Sequence, residues 1–196
     1  MTPLAVSGTS DDDENRDIAD ACRVLAAGGI IAYPTEAVFG LGCDPANRAA
    51  VERLLALKQR PLDKGLILIA ASQDQLQPWI LPPDAAMQAR LDATWPGAVT
   101  WLLPAAPDCP DTLRGRHDTL ATRVTAHPPT QALCRHWGGA LVSTSANRAG
   151  EEPARDSAAV RAIFGTAVAH VIDGPTGGAT RPTPIRDARS GETLRD

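Results

Sequence analysis

Apolar residues along this chain come in two alternating patterns. Short, nearly continuous runs of strand formers occupy residues 30–33, 66–70, 99–103, 119–124, 140–144 and 168–172. Runs this short, bounded by Gly and Pro, predict buried strands. Between them, apolar residues recur at helical spacing: Ile18, Ala21, Cys22 and Leu25, then Val51, Leu54 and Leu55, then Met87, Leu91 and Trp95. Residues 130–137, and Val160 with Phe164, continue the series and predict two more helices. Gly28-Gly29 stops the first helix, and Asn47 caps the second, which runs through Lys58 and ends before Pro61. Pro82-Pro83 opens the third and Trp95-Pro96-Gly97 breaks it. Gly138-Gly139 stops the fourth, and Ser157 caps the last.

Strands alternating with helices predict an α/β fold. The closely spaced strand signals near the C-terminus favour a mixed sheet over a purely parallel one. Residues 173–184 are rich in Gly, Pro and Thr and predict a loop. Beyond them, 185–187 and 193–195 flank Arg189-Ser190-Gly191-Glu192 as a terminal hairpin. Residues 1–15, with the run Asp11-Asp12-Asp13-Glu14, predict a mobile acidic tail ahead of a single domain at 16–196.

The stretch from Ile30 to Gly42 organises the rest. Its strand ends at Pro34, which cannot donate a ladder hydrogen bond, so Thr35 and Glu36 fall at a strand end. Strand ends are the usual place for ligands in open α/β sheets. Gly40 and Gly42, on either side of Leu41, predict a tight bend or a close approach to a ligand. Three further polar clusters follow secondary-structure elements. One is Lys58-Gln59-Arg60-Pro61-Leu62-Asp63-Lys64, with three cations in seven residues. Another is Arg123 at the end of its strand, and the last is Ser143-Thr144-Ser145-Ala146-Asn147. Lys and Arg supply charge and fork-shaped donors for phosphate or carboxylate, and small hydroxyl and amide groups supply donors for anionic oxygens. Each cluster alone also reads as a helix end, a strand residue or a turn. Together they point to an anionic ligand.

Composition narrows the classes. Hydrophobic residues make up 43% and aromatics 4% of the 196 residues, so Leu, Val, Ile and Ala fill the core. A net charge of −4 excludes a uniformly basic nucleic-acid binder but leaves a local basic patch open. No apolar run approaches the roughly 20 residues of a membrane span, and no signal-peptide pattern opens the chain, so a cytoplasmic protein is expected. The four cysteines form no C-x-x-C pair and read as buried free thiols rather than a zinc site. The four histidines show no metal-binding spacing. P-loop, dinucleotide-fold and hydrolase-elbow motifs are lacking.

Tyr33-Pro34-Thr35-Glu36 with Gly40-Leu41-Gly42, Lys58-x-Arg60, Lys64-Gly65-Leu66-Ile67-Leu68-Ile69, the Arg123 strand, Ser143-Thr144-Ser145-Ala146-Asn147 and Ile185-Arg186-Asp187 form an ordered set. In this set the chain resembles the YrdC-like family of threonylcarbamoyl-AMP synthases, in its short bacterial form. The likeness runs from about residue 18 to the end. The resemblance implies a twisted mixed sheet with flanking helices and a concave, positively lined cavity. It implies that L-threonine, bicarbonate or carbon dioxide, and ATP give threonylcarbamoyl-AMP and pyrophosphate. That product would supply threonylcarbamoyladenosine in tRNA, with transfer by a partner complex, and leaves weak direct tRNA binding open. By the family's motifs, Lys58, Arg60, Ser145 and Asn147 are the expected catalytic and nucleotide-contacting group. Thr35, Arg123 and Ser143 are the expected threonine site, and Arg195 an additional nucleotide contact. Magnesium is expected to arrive with ATP rather than on protein ligands. Phe39 stands where many relatives have Tyr. Longer members close the cavity with a C-terminal domain and linker, so enclosure here is expected to come from elsewhere. The alternative is a non-catalytic RNA-binding or ribosome-maturation factor using the same basic cavity. The net charge and the scarcity of aromatics argue against it.

Overall fold

The structure, a computed structural model, describes residues 11–195. The acidic tail is therefore partly outside the described residues. Its described part, residues 11–15, is not a tail but the first turn of helix α1 (Asp11–Ala26). A run of acidic residues at a helix N-terminus offsets the positive end of the macrodipole, which accounts for the early start.

Among the described residues, one nine-stranded sheet carries the fold. It comprises β1 (Ile31–Pro34), β2 (Phe39–Gly42), β3 (Ile67–Ala70), β4 (Thr100–Pro104), β5 (Thr119–Val124), β6 (Leu141–Ser145), β7 (His170–Val171), β8 (Ile185–Asp187) and β9 (Thr193–Arg195). The order across the sheet is β7-β1-β2-β6-β3-β5-β4-β8-β9. The β1/β7, β3/β5 and β4/β8 pairs are parallel and the other pairs antiparallel, so the sheet is mixed as expected. The remaining helices are α2 (Arg48–Lys58), α3 (Ala85–Asp92), α4 (Asp111–Arg114), α5 (Pro128–Trp137) and α6 (Ser157–Phe164). Asn47 caps α2 by accepting the Ala50 N–H, as its position predicts. The last helix is capped by Asp156, one residue before the expected Ser157. The third is capped by Asp84 and ends before Trp95.

Of the two expectations for Gly40-Leu41-Gly42, the tight bend is overturned, while Gly40 does lie against a cavity. This segment is no bend but the buried second strand of a hairpin with β1, in register from Ile31 with Gly42 to Pro34 with Phe39. Glycine at 42 answers a close approach of the protein to itself. A Cβ there would stand 2.5 Å from the Val142 carbonyl oxygen and 2.8 Å from the Tyr33 ring.

Alternation along the strands sorts the core onto two faces. Ile30, Ala32, Leu68 and Ala70 join the larger cluster with Val51 and Leu54 of α2, Leu91 of α3 and Val160 of α6. Ile31, Tyr33, Ile69 and Leu141 join the smaller one with Ile18, Ala21 and Leu25 of α1 and Leu133 of α5. Helices α1 and α5 cover only part of that second face. Register carries the same face across Ser143, Ile67, Ala121 and Leu102, and Ser145 pairs with Gly40. These residues are left to line a hollow. The three cysteines Cys43, Cys109 and Cys134 are buried free thiols, and Cys22 is partly exposed.

Candidate active site

The hollow has a volume of about 380 Å³, within the range of about 300–1,000 Å³ common for ligand pockets. Thr35, Arg60, Arg123, Ser143, Ser145 and Arg195 all line it. Six of the eight residues singled out in the sequence therefore share one cavity, although they come from the β1–β2 loop, the end of α2, β5, β6 and β9. Lys64, Arg114 and His117 also line it, and no described Asp or Glu does.

Lys58 and Asn147 are not lining residues. They stand behind Ser145 as a brace. The Lys58 ammonium donates to the Ser145 carbonyl, to the Asn147 carbonyl at 2.9 Å and to Asn147 Oδ1 at 3.3 Å. Ser145 Oγ donates to the same Oδ1 at 2.6 Å. The Asn147 amide nitrogen donates to the carbonyls of Arg148 and Glu151, at 2.9 and 2.8 Å. Lys58 thus directs its three N–H donors at the turn after β6, and Asn147 has spent its amide. The ammonium is buried, with the residue only 5% exposed. Burial, aided by the Arg60 charge, brings its pKa down to about 8.

Arg123 is the opposite case. Its side chain is 6% exposed, and its guanidinium is gripped at two nitrogens. Nη1 donates to Thr183 Oγ1 at 2.7 Å, and Nη2 lies 3.3 Å from Glu36 Oε2. Its buried Nε–H has no hydrogen-bond partner. Thr35 Oγ1 donates to the Val38 carbonyl at 2.7 Å, which tightens the hairpin loop and leaves the hydroxyl oxygen able to accept.

Three of the four cavity arginines, Arg60, Arg123 and Arg195, are coupled by charge. Burial, then the charge of Arg195, lowers the Arg60 pKa. Burial, then the charge of Arg123, lowers that of Arg195. Like charges brought together in a partly desolvated hollow favour an anion between them. Arg60 is also tied to its own loop, Nε donating to the Gly65 carbonyl at 3.1 Å. Arg195 Nη2 donates to the Thr183 carbonyl at 3.0 Å.

Sequence reasoning singled out Glu36 at the strand end without giving it a role, and it left Arg114, His117 and Thr183 out of the site altogether. Glu36 had a local signal, since it follows Thr35 at the strand end. Thr183 had none: it sits in the loop before β8, and its contact with Arg123 spans 60 positions.

Residues 23–196 match the Sua5/YciO/YrdC family, whose description reads "Telomere recombination". The threonylcarbamoyl-AMP synthase of Nitrosococcus oceani is 57% identical over 175 residues, covering 89% of this chain and 95% of that protein. The structure of P. abyssi Sua5 complexed with L-threonine superposes with a TM-score of 0.83 at 28% identity. It covers 90% of this chain, and this chain spans about half (52%) of that one. E. coli YciO superposes with a TM-score of 0.77 at 25% identity, covering 92% of this chain and 91% of its own. With a family match over most of its length and a relative at this level of identity, the chain belongs to the Sua5/YciO/YrdC family.

Proposed function

We propose that this protein is an enzyme, a threonylcarbamoyl-AMP synthase. It would join L-threonine, bicarbonate or carbon dioxide, and ATP into threonylcarbamoyl-AMP with release of pyrophosphate, which makes it a nucleotidyltransferase. The observation that carries this reading is the meeting of Thr35, Arg123 and Ser143 with Arg60, Ser145 and Arg195 around one hollow. The relatives' name and the threonine held by a structural neighbour support the choice of substrates.

The chemistry suits the residues. The threonine amine and bicarbonate condense to a carbamate with loss of water, or the amine adds to carbon dioxide with loss of a proton. The carbamate oxygen attacks the α-phosphorus of ATP, the bond from that phosphorus to the β-phosphate oxygen breaks, and pyrophosphate leaves. Charge accumulates on phosphoryl oxygens, so positioning and cations supply most of the catalysis and no side-chain nucleophile is needed. Arg60 and Arg195 would meet the phosphates, and Arg123 the threonine carboxylate, where a guanidinium fork fits a planar anion. Thr35 and Ser143 would line the amino-acid end. Ser145, held by Asn147 and Lys58, would present its hydroxyl oxygen and the turn beside it to the nucleotide. No group of three or more His, Cys, Asp or Glu suited to a metal occurs among the described residues. Magnesium would enter as the counter-ion of ATP. No described helix is long and apolar enough to cross a membrane, and a cytoplasmic role beside tRNA and its threonylcarbamoyl-transferase partner fits the reading.

Pyrophosphate release tests it. Release with ATP, bicarbonate and L-threonine, lost when threonine is omitted, is the expected result. RNA retention with a steep salt dependence and no ATP turnover would contradict it.

A further inference from the structure

A carboxylate beside the arginine expected to clamp a carboxylate is a puzzle. Glu36 is 8% exposed and does not line the cavity. It stands behind Arg123. Its Oε1 accepts from Thr125 Oγ1 at 2.6 Å, and its Oε2 lies 3.3 Å from Arg123 Nη2. On the other side, Arg123 Nη1 donates to Thr183 Oγ1, which is itself 3.4 Å from Thr100 Oγ1.

These two anchors are joined through the backbone. The loop after β7 folds back onto the Thr35-Glu36 corner, with Gly177 N–H donating to the Thr35 carbonyl and Ala179 N–H to the Glu36 carbonyl, both at 2.9 Å. The loop runs on to Thr183, whose hydroxyl holds Arg123 and whose carbonyl holds Arg195. A guanidinium has five N–H donors in a rigid plane. The Thr183 hydrogen bond and the Glu36 ion pair, in which Oε2 accepts no hydrogen bond, set that plane and leave Nη donors for a ligand. Glu36 also supplies the negative charge that lets Arg123 sit near Arg195 in the absence of substrate.

We propose that Glu36 is a positioning residue, which together with Thr183 fixes the Arg123 fork for an amino-acid carboxylate without touching the substrate. The inference rests on the reading that Arg123 binds threonine.

The test is the effect of Glu36→Gln on threonine and ATP separately. Glutamine keeps the shape, and its carbonyl oxygen can still accept from Thr125. Its amide nitrogen then faces Arg123 Nη2, donor against donor. The expected result is a rise of about 30-fold in KM and calorimetric Kd for L-threonine, as for a disrupted buried charge pair, with KM for ATP within about twofold. Thr183→Val should raise the threonine KM about tenfold by removing one charge-assisted hydrogen bond, and Thr183→Ser should restore it. This pair keeps the test alive if Glu36→Gln fails to fold. Arg123→Ala separates the two levels. If it abolishes threonine binding while Glu36→Gln and Thr183→Val leave it unchanged, the positioning role is overturned and the assignment of Arg123 stands. If Arg123→Ala itself leaves threonine binding intact, the assignment beneath the inference fails. Equal weakening of both substrates by Glu36→Gln, with a lowered melting temperature, would mark a merely structural residue and also overturn the proposal.

Discussion

The brace around Lys58 and the grip around Arg123 use cations in opposite ways. The Lys58 ammonium has all three donors turned onto oxygens of residues 145 and 147, behind the cavity wall. Arg123 is held by one hydrogen bond to Thr183 and an ion pair to Glu36, and its side chain lines the cavity with Nη donors to spare. A satisfied cation organises the protein, whereas an incompletely satisfied one is available to a ligand. Residue type alone does not separate the two roles, because both cations are buried and both lie near the end of an ordered element.

Four substitutions or conditions press on this contrast. The largest effect belongs to Arg123→Ala, which should raise the threonine KM by at least about 100-fold, the scale of a lost bidentate carboxylate contact, with little change in ATP binding. Steady-state kinetics with each substrate varied would show it. Lys58→Met should behave otherwise. It strands buried acceptors at about 1–3 kcal/mol per group, so thermal stability and ATP use should fall together. Unchanged stability, measured by denaturant unfolding, would break the comparison.

The third is pH. Below its pKa of about 8, Lys58 carries a proton for each of its three acceptors. Above it, the neutral amine has one donor too few, so turnover should decline as pH rises through about 8. Because the folded pKa is lowered from 10.5, the unfolded chain binds more protons between about 8 and 10.5. This group's contribution to stability therefore rises across that window, and the lost activity is not unfolding. Flat turnover across it would remove the brace from the mechanism. The smallest effect is expected of Gly177→Ala. A Cβ there meets Glu36 backbone atoms at 3.0 Å, so the loop must shift by a few tenths of an ångström. A rise of about two- to fivefold in threonine KM is expected, about 0.4–1 kcal/mol.

The sheet and its helices were readable where one kind of pattern ran unbroken. Strand β5 falls where the apolar run at 119–124 predicts it, and α2 starts and ends at its capping signals. Strand β2 was not readable. Two of its four residues are glycine, and glycine there serves packing against Tyr33 and the Val142 carbonyl, a contact distant in sequence. Helix α4 is hidden because it is four residues long and follows a proline-rich stretch. The site shows the same division. Thr35 follows a strand, Arg123 and Ser145 lie at strand ends and Ser143 lies within one, so all four could be found locally. That Lys58 faces inward while Arg60, two residues on, faces the cavity depends on where α2 stops against β6. The partnership of Glu36 with Arg123 and Thr125 joins positions 89 apart in the case of Thr125, and no local spacing encodes it.

One hollow joins parts of three small reactants into one nucleotide product and releases pyrophosphate. Incubation with ATP, L-threonine and carbon-13 bicarbonate, followed by mass spectrometry of the nucleotide fraction, tests this claim most directly. The account predicts threonylcarbamoyl-AMP carrying one carbon-13 atom, formed in step with pyrophosphate. ATP cleavage to AMP with no labelled carbon in any nucleotide would contradict it.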